Sequence, residues 1–224
     1  MNENTISKKN YLGQVTDLVK TNLRNLIIFL SLCFLLFLSF QIYSNYSSNK
    51  IQKDSIAFFK VQNFEDITAI TDIITKLSNQ NNFYGILSKL ELIKVNLEQK
   101  NNQEAITLYF DLLNNKNLDP IYKSAIASRA TYQFIDLNLS NLSLDYSQAI
   151  NDFITYINDE LVPYQSTKLE LVYLTKILEV EKNNIEYKNF KEVNDMYNSI
   201  ISSDVASSAI KERVNKIHEF FSNK

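Results

Sequence analysis

Apolar positions recur along this chain with the period of a helix. Between residues 67 and 77, Ile67, Ile70, Ile73, Ile74 and Leu77 fall on one stripe, and Asp66 occupies the place of an N-cap. A second stripe of Leu87, Leu90, Ile93 and Leu97 predicts a helix that begins near Phe83 and stops at Lys100–Asn102. A third helix runs from Gln103 through Ala105, Ile106, Tyr109, Leu112 and Leu113 and ends in the Asn-rich stretch 114–117. Pro120 suits the first turn of a fourth, which carries Ile121, Ala125, Ala130, Phe134 and Leu137. From Asp136 to Tyr146 leucines alternate with turn formers, so this stretch is predicted to be a loop. Ala149, Ile150, Phe153, Ile154, Ile157 and Leu161 resume the helical spacing up to a break at Pro163. Three more helices are predicted, over Gln165–Lys182, Tyr187–Ile201 and Asp204–Ser222. Ser203–Asp204 caps the last, which buries Val205, Ile210, Val214, Ile217 and Phe221.

Ahead of these elements, Leu26 to Phe40 reads LIIFLSLCFLLFLSF without a charge. Extended to Leu23 and Tyr43 it holds 21 residues, close to the roughly 20 that cross a hydrocarbon core. Leu26, Ile27, Phe29, Leu30, Phe34, Leu36, Phe37 and Phe40 are the predicted membrane anchor. A cleaved signal peptide would exit through small residues, whereas this segment exits through QIYSNYSSNK, with bulky Tyr43 and Tyr46. Cys33 follows Leu32 in mid-segment, where a lipid-attachment cysteine would follow a small residue; it is read as an apolar side chain in the span. Lys8, Lys9, Lys20 and Arg24 precede the span, and Lys50, Lys53 and Lys60 follow at greater distance. That bias predicts a cytoplasmic N-terminus and an extracytoplasmic domain. Tyr11, Leu12, Val15, Leu18, Val19 and Leu23 have the spacing of a short interfacial helix. The chain is thus divided into a tail over 1–22, a transmembrane helix over 23–43 and a helical domain over 44–224.

Composition narrows the chemistry. The chain of 224 residues has a net charge of -2, and beyond Tyr43 it carries 19 Lys and Arg against 23 Asp and Glu. No basic block exists to track a phosphate backbone, so nucleic acid is not an expected partner. One Cys (Cys33) and one His (His218) fall short of the four ligands of a structural zinc site. The single Cys also precludes an intrachain disulfide. Gly13 and Gly85, the only glycines, cannot form a phosphate-cradling loop. The carboxylate pairs Asp159–Glu160 and Glu179–Glu181 are read as solvated helix faces. The expectation is a protein without cofactor, metal or catalytic residues. Asn doublets at 81–82, 101–102, 114–115 and 183–184 fall where helices are expected to stop, Asn being the next-best residue after Gly for a left-handed stop. A genome rich in A and T accounts for Asn enrichment as well.

Three of the predicted helices share a register. QEAITLYFDLL, SQAINDFITYI and KEVNDMYNSII each place a small or β-branched residue (Ala105, Ala149, Val193) four before an aromatic one (Tyr109, Phe153, Tyr197). Both intervals between these units are 44 residues. In a tetratricopeptide repeat the second helix has this pattern: the small residue lies where the two helices touch, and the aromatic fills the groove to the next repeat. The usual period is about 34 residues, so these units carry extra length, and the first-helix signature is largely missing. The fold class predicted is all-α: a transmembrane helix followed by a TPR-like α-solenoid of antiparallel helix pairs.

The chain resembles the YfgM-like ancillary subunits of the bacterial Sec translocon, which are single-span inner-membrane proteins with tetratricopeptide-like domains. The resemblance is carried by the amphipathic GQVTDLVKTNLRN before the span, by NNFYGILSKLELIKVNLEQKNNQEAITLY (Asn81 to Tyr109) and by the closing helix SDVASSAIKERVNKI (Ser203 to Ile217). The stretch from Asp136 to Tyr164 departs from it. The chain also looks like short relatives from AT-rich alphaproteobacteria. The resemblance implies protein partners, namely translocon subunits and periplasmic chaperones, and no catalytic residues. A structural scaffold for envelope or cell-division assembly, with fixed membrane-protein partners, is the alternative reading.

Overall fold

The computed structural model describes residues 22–61, 67–187 and 190–223. These residues form nine α-helices and no strand: α1 (Leu23–Val61), α2 (Ile67–Ser78), α3 (Phe83–Glu98), α4 (Asn102–Leu113), α5 (Pro120–Ser140), α6 (Ser147–Thr155), α7 (Val162–Lys182), α8 (Lys191–Ser202) and α9 (Ser208–Ser222). The expected interfacial helix before Thr21 and the Asp66 cap lie outside the described residues. Two compact units divide between Glu65 and Asp66.

In the first unit, α1 is long and apolar enough to cross a membrane. Its 39 residues span about 58 Å at ~1.5 Å per residue, against roughly 30 Å of hydrocarbon. Ile27, Phe29, Leu30, Phe34, Leu36, Phe37 and Phe40 are each more than half exposed. The Ser39 hydroxyl donates to the Leu35 carbonyl at 2.9 Å, so its polar group is satisfied inside the apolar stretch. The helix does not end at Tyr43. It continues through polar residues to Val61, so the expected boundary at 43–44 is a change of polarity, not of backbone structure.

In the second unit each helix packs on its neighbour in sequence, from α2 on α3 through α8 on α9, and α5 also packs on α7 and α7 on α9. Two apolar clusters form the core. The larger runs from Ile93 to Leu178 and is centred on Tyr109, Phe134 and Phe153; the smaller gathers Tyr173, Ile177, Val180, Val193, Ile200, Ile210 and Val214.

The Asp136–Tyr146 segment is only half the predicted loop. α5 continues to Ser140 because Ile135 and Asn138 extend the buried stripe of Thr131 and Phe134, while Leu137 and Leu139 pack on the same cluster. Asn141 then leaves the helix, and its side-chain oxygen accepts from the Ser143 amide and hydroxyl to form the turn. Two other expected stripes are rotated. Ile121 and Ala125 are exposed, and Ser124, Ile126 and Ala127 face inward instead. Val205 is exposed as well, since α9 begins at Ser208 with Ser207, not Ser203–Asp204, capping the Ile210 amide. α8 likewise begins at Lys191, and Tyr187 lies in the turn before it.

Of the four Asn doublets, only 183–184 supplies a left-handed residue, Asn184 at φ 51°. The corresponding residue after α3 is Lys100 at φ 61°. Both sites close with the amide of the following residue bonded to a carbonyl five residues back, Asn101 to Asn96 and Ile185 to Val180. Asn82 instead starts a helix, accepting from the Gly85 amide at 3.0 Å. Gly85 is a residue of close approach: a Cβ there would lie 1.9 Å from the Gln80 carbonyl oxygen. Gly85→Ala is therefore expected to lower the unfolding free energy by about 1–3 kcal/mol, the usual range for overpacking, read from the urea midpoint. An unchanged midpoint would show that the turn between α2 and α3 is not held against α3.

Candidate protein-interaction surface

On the face of α3 opposite its buried stripe, Phe83 is exposed and Ile86, Leu87 and Leu90 are half-buried. Phe83, Ile86, Leu87 and Leu90 line one wall of a groove, and Leu118, Tyr122, Ala125 and Ile126 line the other, from the turn before α5 and from α5 itself. The groove has a volume of about 690 Å³, in the size range of sites that hold a compact ligand or a short stretch of side chains. Phe83 and Tyr122 stand at its mouth, each 62 % exposed. Both helices are fixed at their starts, α3 by Asn82 and α5 by Asp119, whose carboxylate accepts from the Ile121 amide at 2.8 Å behind Pro120. Asn117 donates to Asn81 at 3.4 Å across one end of the groove, and Arg129 contributes the one cation of its lining at α5.

This wall explains why α5 defeated a single-stripe reading. Its apolar residues occupy more than one face: Ile126, Ala127, Ala130 and Phe134 go to the core, while Ile121, Tyr122 and Ala125 go outward. The signal was present as apolar residues too numerous for one stripe.

The residues of the shared register lie as follows. Ala105 and Tyr109 are buried in α4, with the Tyr109 ring edge-on to Phe153 of α6 at 5.6 Å. Ala149 is half-buried, Phe153 is fully buried and Val193 is fully buried. Positions 44 residues apart thus meet between α4 and α6. They do so again where the Asn102 side-chain amide donates to the Tyr146 hydroxyl at 2.6 Å. Tyr197 is half-buried; its hydroxyl donates to Asn215 at 2.6 Å, and its ring stacks on His218 at 3.7 Å between centroids.

Of the four carboxylates singled out in sequence, Asp159 meets Lys168 and Glu179 meets Lys176, each at 3.0 Å. The lysine beside Asp159 holds its carboxyl below the usual range. The carboxylate missed in sequence is Glu170. It is 2 % exposed on α7 and accepts from Arg213 of α9 at 2.8 and 2.6 Å and from the Tyr132 hydroxyl of α5 at 2.6 Å. Burial and this hydrogen bond push the Tyr132 hydroxyl well above the ordinary tyrosine range, so it remains a donor. One carboxylate thereby joins three helices. Its position was legible as a Glu on the inward stripe of Ser166, Tyr173 and Ile177.

Among the described residues, no group of three or more His, Cys, Asp or Glu side chains converges as metal ligands would. Comparison with known proteins returned no match: no family model, no curated protein and no solved structure matches the chain.

Proposed function

We propose that this protein is a membrane-anchored protein-interaction module without catalytic activity, serving as a scaffold or chaperone-like factor beside the bacterial secretion machinery. On this reading α1 crosses the inner membrane once, with the N-terminus cytoplasmic and the helical domain periplasmic. The paired helices form a tetratricopeptide-like solenoid of the YfgM-like type. The observation that carries the reading is the exposed apolar groove between α3 and α5, which holds an apolar segment of a protein partner. The order of packing supports the solenoid: α5 touches α7 and α7 touches α9, as first helices of successive pairs do. Membrane attachment raises the effective concentration of the module near nascent secreted chains, so that weak contacts suffice.

Mild-detergent affinity purification of the full chain tests this. Translocon subunits and a periplasmic chaperone are expected in excess over a tag-only control. They are expected to drop roughly tenfold for the double variant Phe83→Ser, Tyr122→Ser, the factor that ~1.4 kcal/mol of lost apolar contact produces. Both positions are exposed, so the fold is retained, which circular dichroism checks. Recovery of cell-wall or division components alone would replace the reading with the envelope scaffold, and partners unaffected by the double variant would move the surface elsewhere.

A further inference from the structure

The one histidine terminates a buried hydrogen-bond chain. The Tyr173 and Tyr187 hydroxyls lie 2.7 Å apart, and the Tyr187 hydroxyl lies 2.8 Å from Nδ1 of His218. Tyr173 is fully buried on α7, Tyr187 is nearly so in the turn before α8, and His218 is on α9. The Tyr173 hydroxyl is also 3.5 Å from the same Nδ1. Among the described residues, no other side chain is within hydrogen-bonding reach of the Tyr173 hydroxyl in this cluster.

The order of protons follows from that geometry. With His218 neutral and its proton on Nε2, Tyr173 donates to Tyr187, Tyr187 donates to Nδ1, and every buried group is satisfied. With a proton on Nδ1 as well, three donor protons share the two short contacts, so one of the two buried tyrosine hydroxyls is left without an acceptor. The titratable groups around the imidazole are Tyr173 of α7, Tyr187 of the turn, Tyr197 of α8 and, on α9 itself, Glu219. Tyr173 and Tyr187 stay neutral, burial raising both above the ordinary tyrosine range. Glu219 favours the imidazolium but is exposed and already accepts from Asn215 at 2.7 Å. Burial outweighs it and holds His218 below the ordinary histidine value.

We propose that the Tyr173–Tyr187–His218 chain is a pH sensor which loosens α9 from α7 and α8 when the imidazole takes a proton. Release of α9 uncovers the apolar face that Ile210, Val214 and Ile217 cover. The sign is fixed by linkage. A histidine whose folded value lies below its unfolded one contributes stability above the unfolded value of about 6.5, and that contribution is lost as pH falls from there through the folded value.

Hydrogen exchange of the full chain in detergent micelles, at pH 7.5 and 5.0 and corrected for intrinsic rates, tests the proposal. Exchange of α9 amides is expected to rise roughly tenfold at pH 5.0, the factor that one orphaned buried hydroxyl produces, while α4 amides are unchanged. His218→Gln is expected to abolish the difference. An α9 rate independent of pH would overturn the proposal, as would an equal rise in α4, which needs no variant to observe. A His218→Gln chain that folds and retains the wild-type pH response would overturn it as well.

Discussion

Replacing Phe153 with alanine is expected to lower the unfolding free energy of the helical domain by about 3–5 kcal/mol, the range for a fully buried aromatic residue. Phe153 is 0 % exposed and meets three rings, Tyr109 at 5.6 Å, Phe110 at 4.7 Å and Phe134 at 5.9 Å. These rings come from α4 and α5, while Phe153 is on α6, so the side chain fills the seam between two successive helix pairs. Truncation leaves a cavity that three separate helices would have to collapse to fill, which places the cost in the upper part of the range. Phe110, half-buried, can follow the collapse; Tyr109 cannot move as freely, because its hydroxyl donates to Gln133 at 3.0 Å. Phe153→Leu, which restores most of the volume, is expected to recover more than half of the loss. Urea unfolding followed by far-UV circular dichroism measures both. A loss below about 1 kcal/mol for Phe153→Ala would mean that the seam is not a packed interior.

Removal of Arg213 is expected to cost nearly as much, about 3 kcal/mol, because it leaves the Glu170 carboxylate buried with Tyr132 as its one remaining partner. The estimate sits at the low end of the range for broken buried pairs since the Arg213 side chain is 54 % exposed, and part of its attraction is already screened by water. The same exposure makes the pair asymmetric. Glu170→Gln leaves a guanidinium that hydrates freely and a neutral amide still able to accept from Tyr132, so its cost is expected to be about 1–2 kcal/mol. The double variant Glu170→Gln, Arg213→Ala is then expected to be more stable than Arg213→Ala alone, because the uncompensated charge has gone. A cycle of these four proteins under urea measures the coupling. Glu170→Gln costing more than Arg213→Ala would contradict the account of which partner bears the burial.

The helical period made most of the second unit legible, and each failure has a local cause. α3, α4 and α7 have caps or breaks written in side chains (Asn82, the turn at Lys100 to Asn102, Pro163), and their predicted spans fall within a few residues of the observed ones. The last turn of α5, from Asp136 to Ser140, was hidden because Asn138 and Ser140 are turn formers on local propensity, and tertiary burial of Ile135 and Leu137 overrides that preference. The start of α9 was displaced since Ser203, Asp204 and Ser207 are all competent caps. Ser207 wins by leaving Ile210 and Val214 facing α8. The groove was legible only as a surplus of apolar residues on α5, because an apolar residue such as Tyr122 reads the same in sequence whether it faces a core or solvent. The Tyr173–Tyr187–His218 chain was equally invisible: its members lie 14 and 31 residues apart and meet only through the packing of α7 with α9. Glu170 is the intermediate case, a charged residue on an inward stripe, which burial alone marks as paired.

The central claim is that the face between α3 and α5 receives protein partners at the membrane. A photo-crosslinking residue placed at Tyr122 tests it most directly, in living cells, against the same residue at the exposed Glu212 of α9. Crosslinks from position 122 to translocon subunits or to a periplasmic chaperone, with none from position 212, are the predicted result. Equal crosslinking from both positions, or products confined to cell-wall and division proteins, would contradict the account.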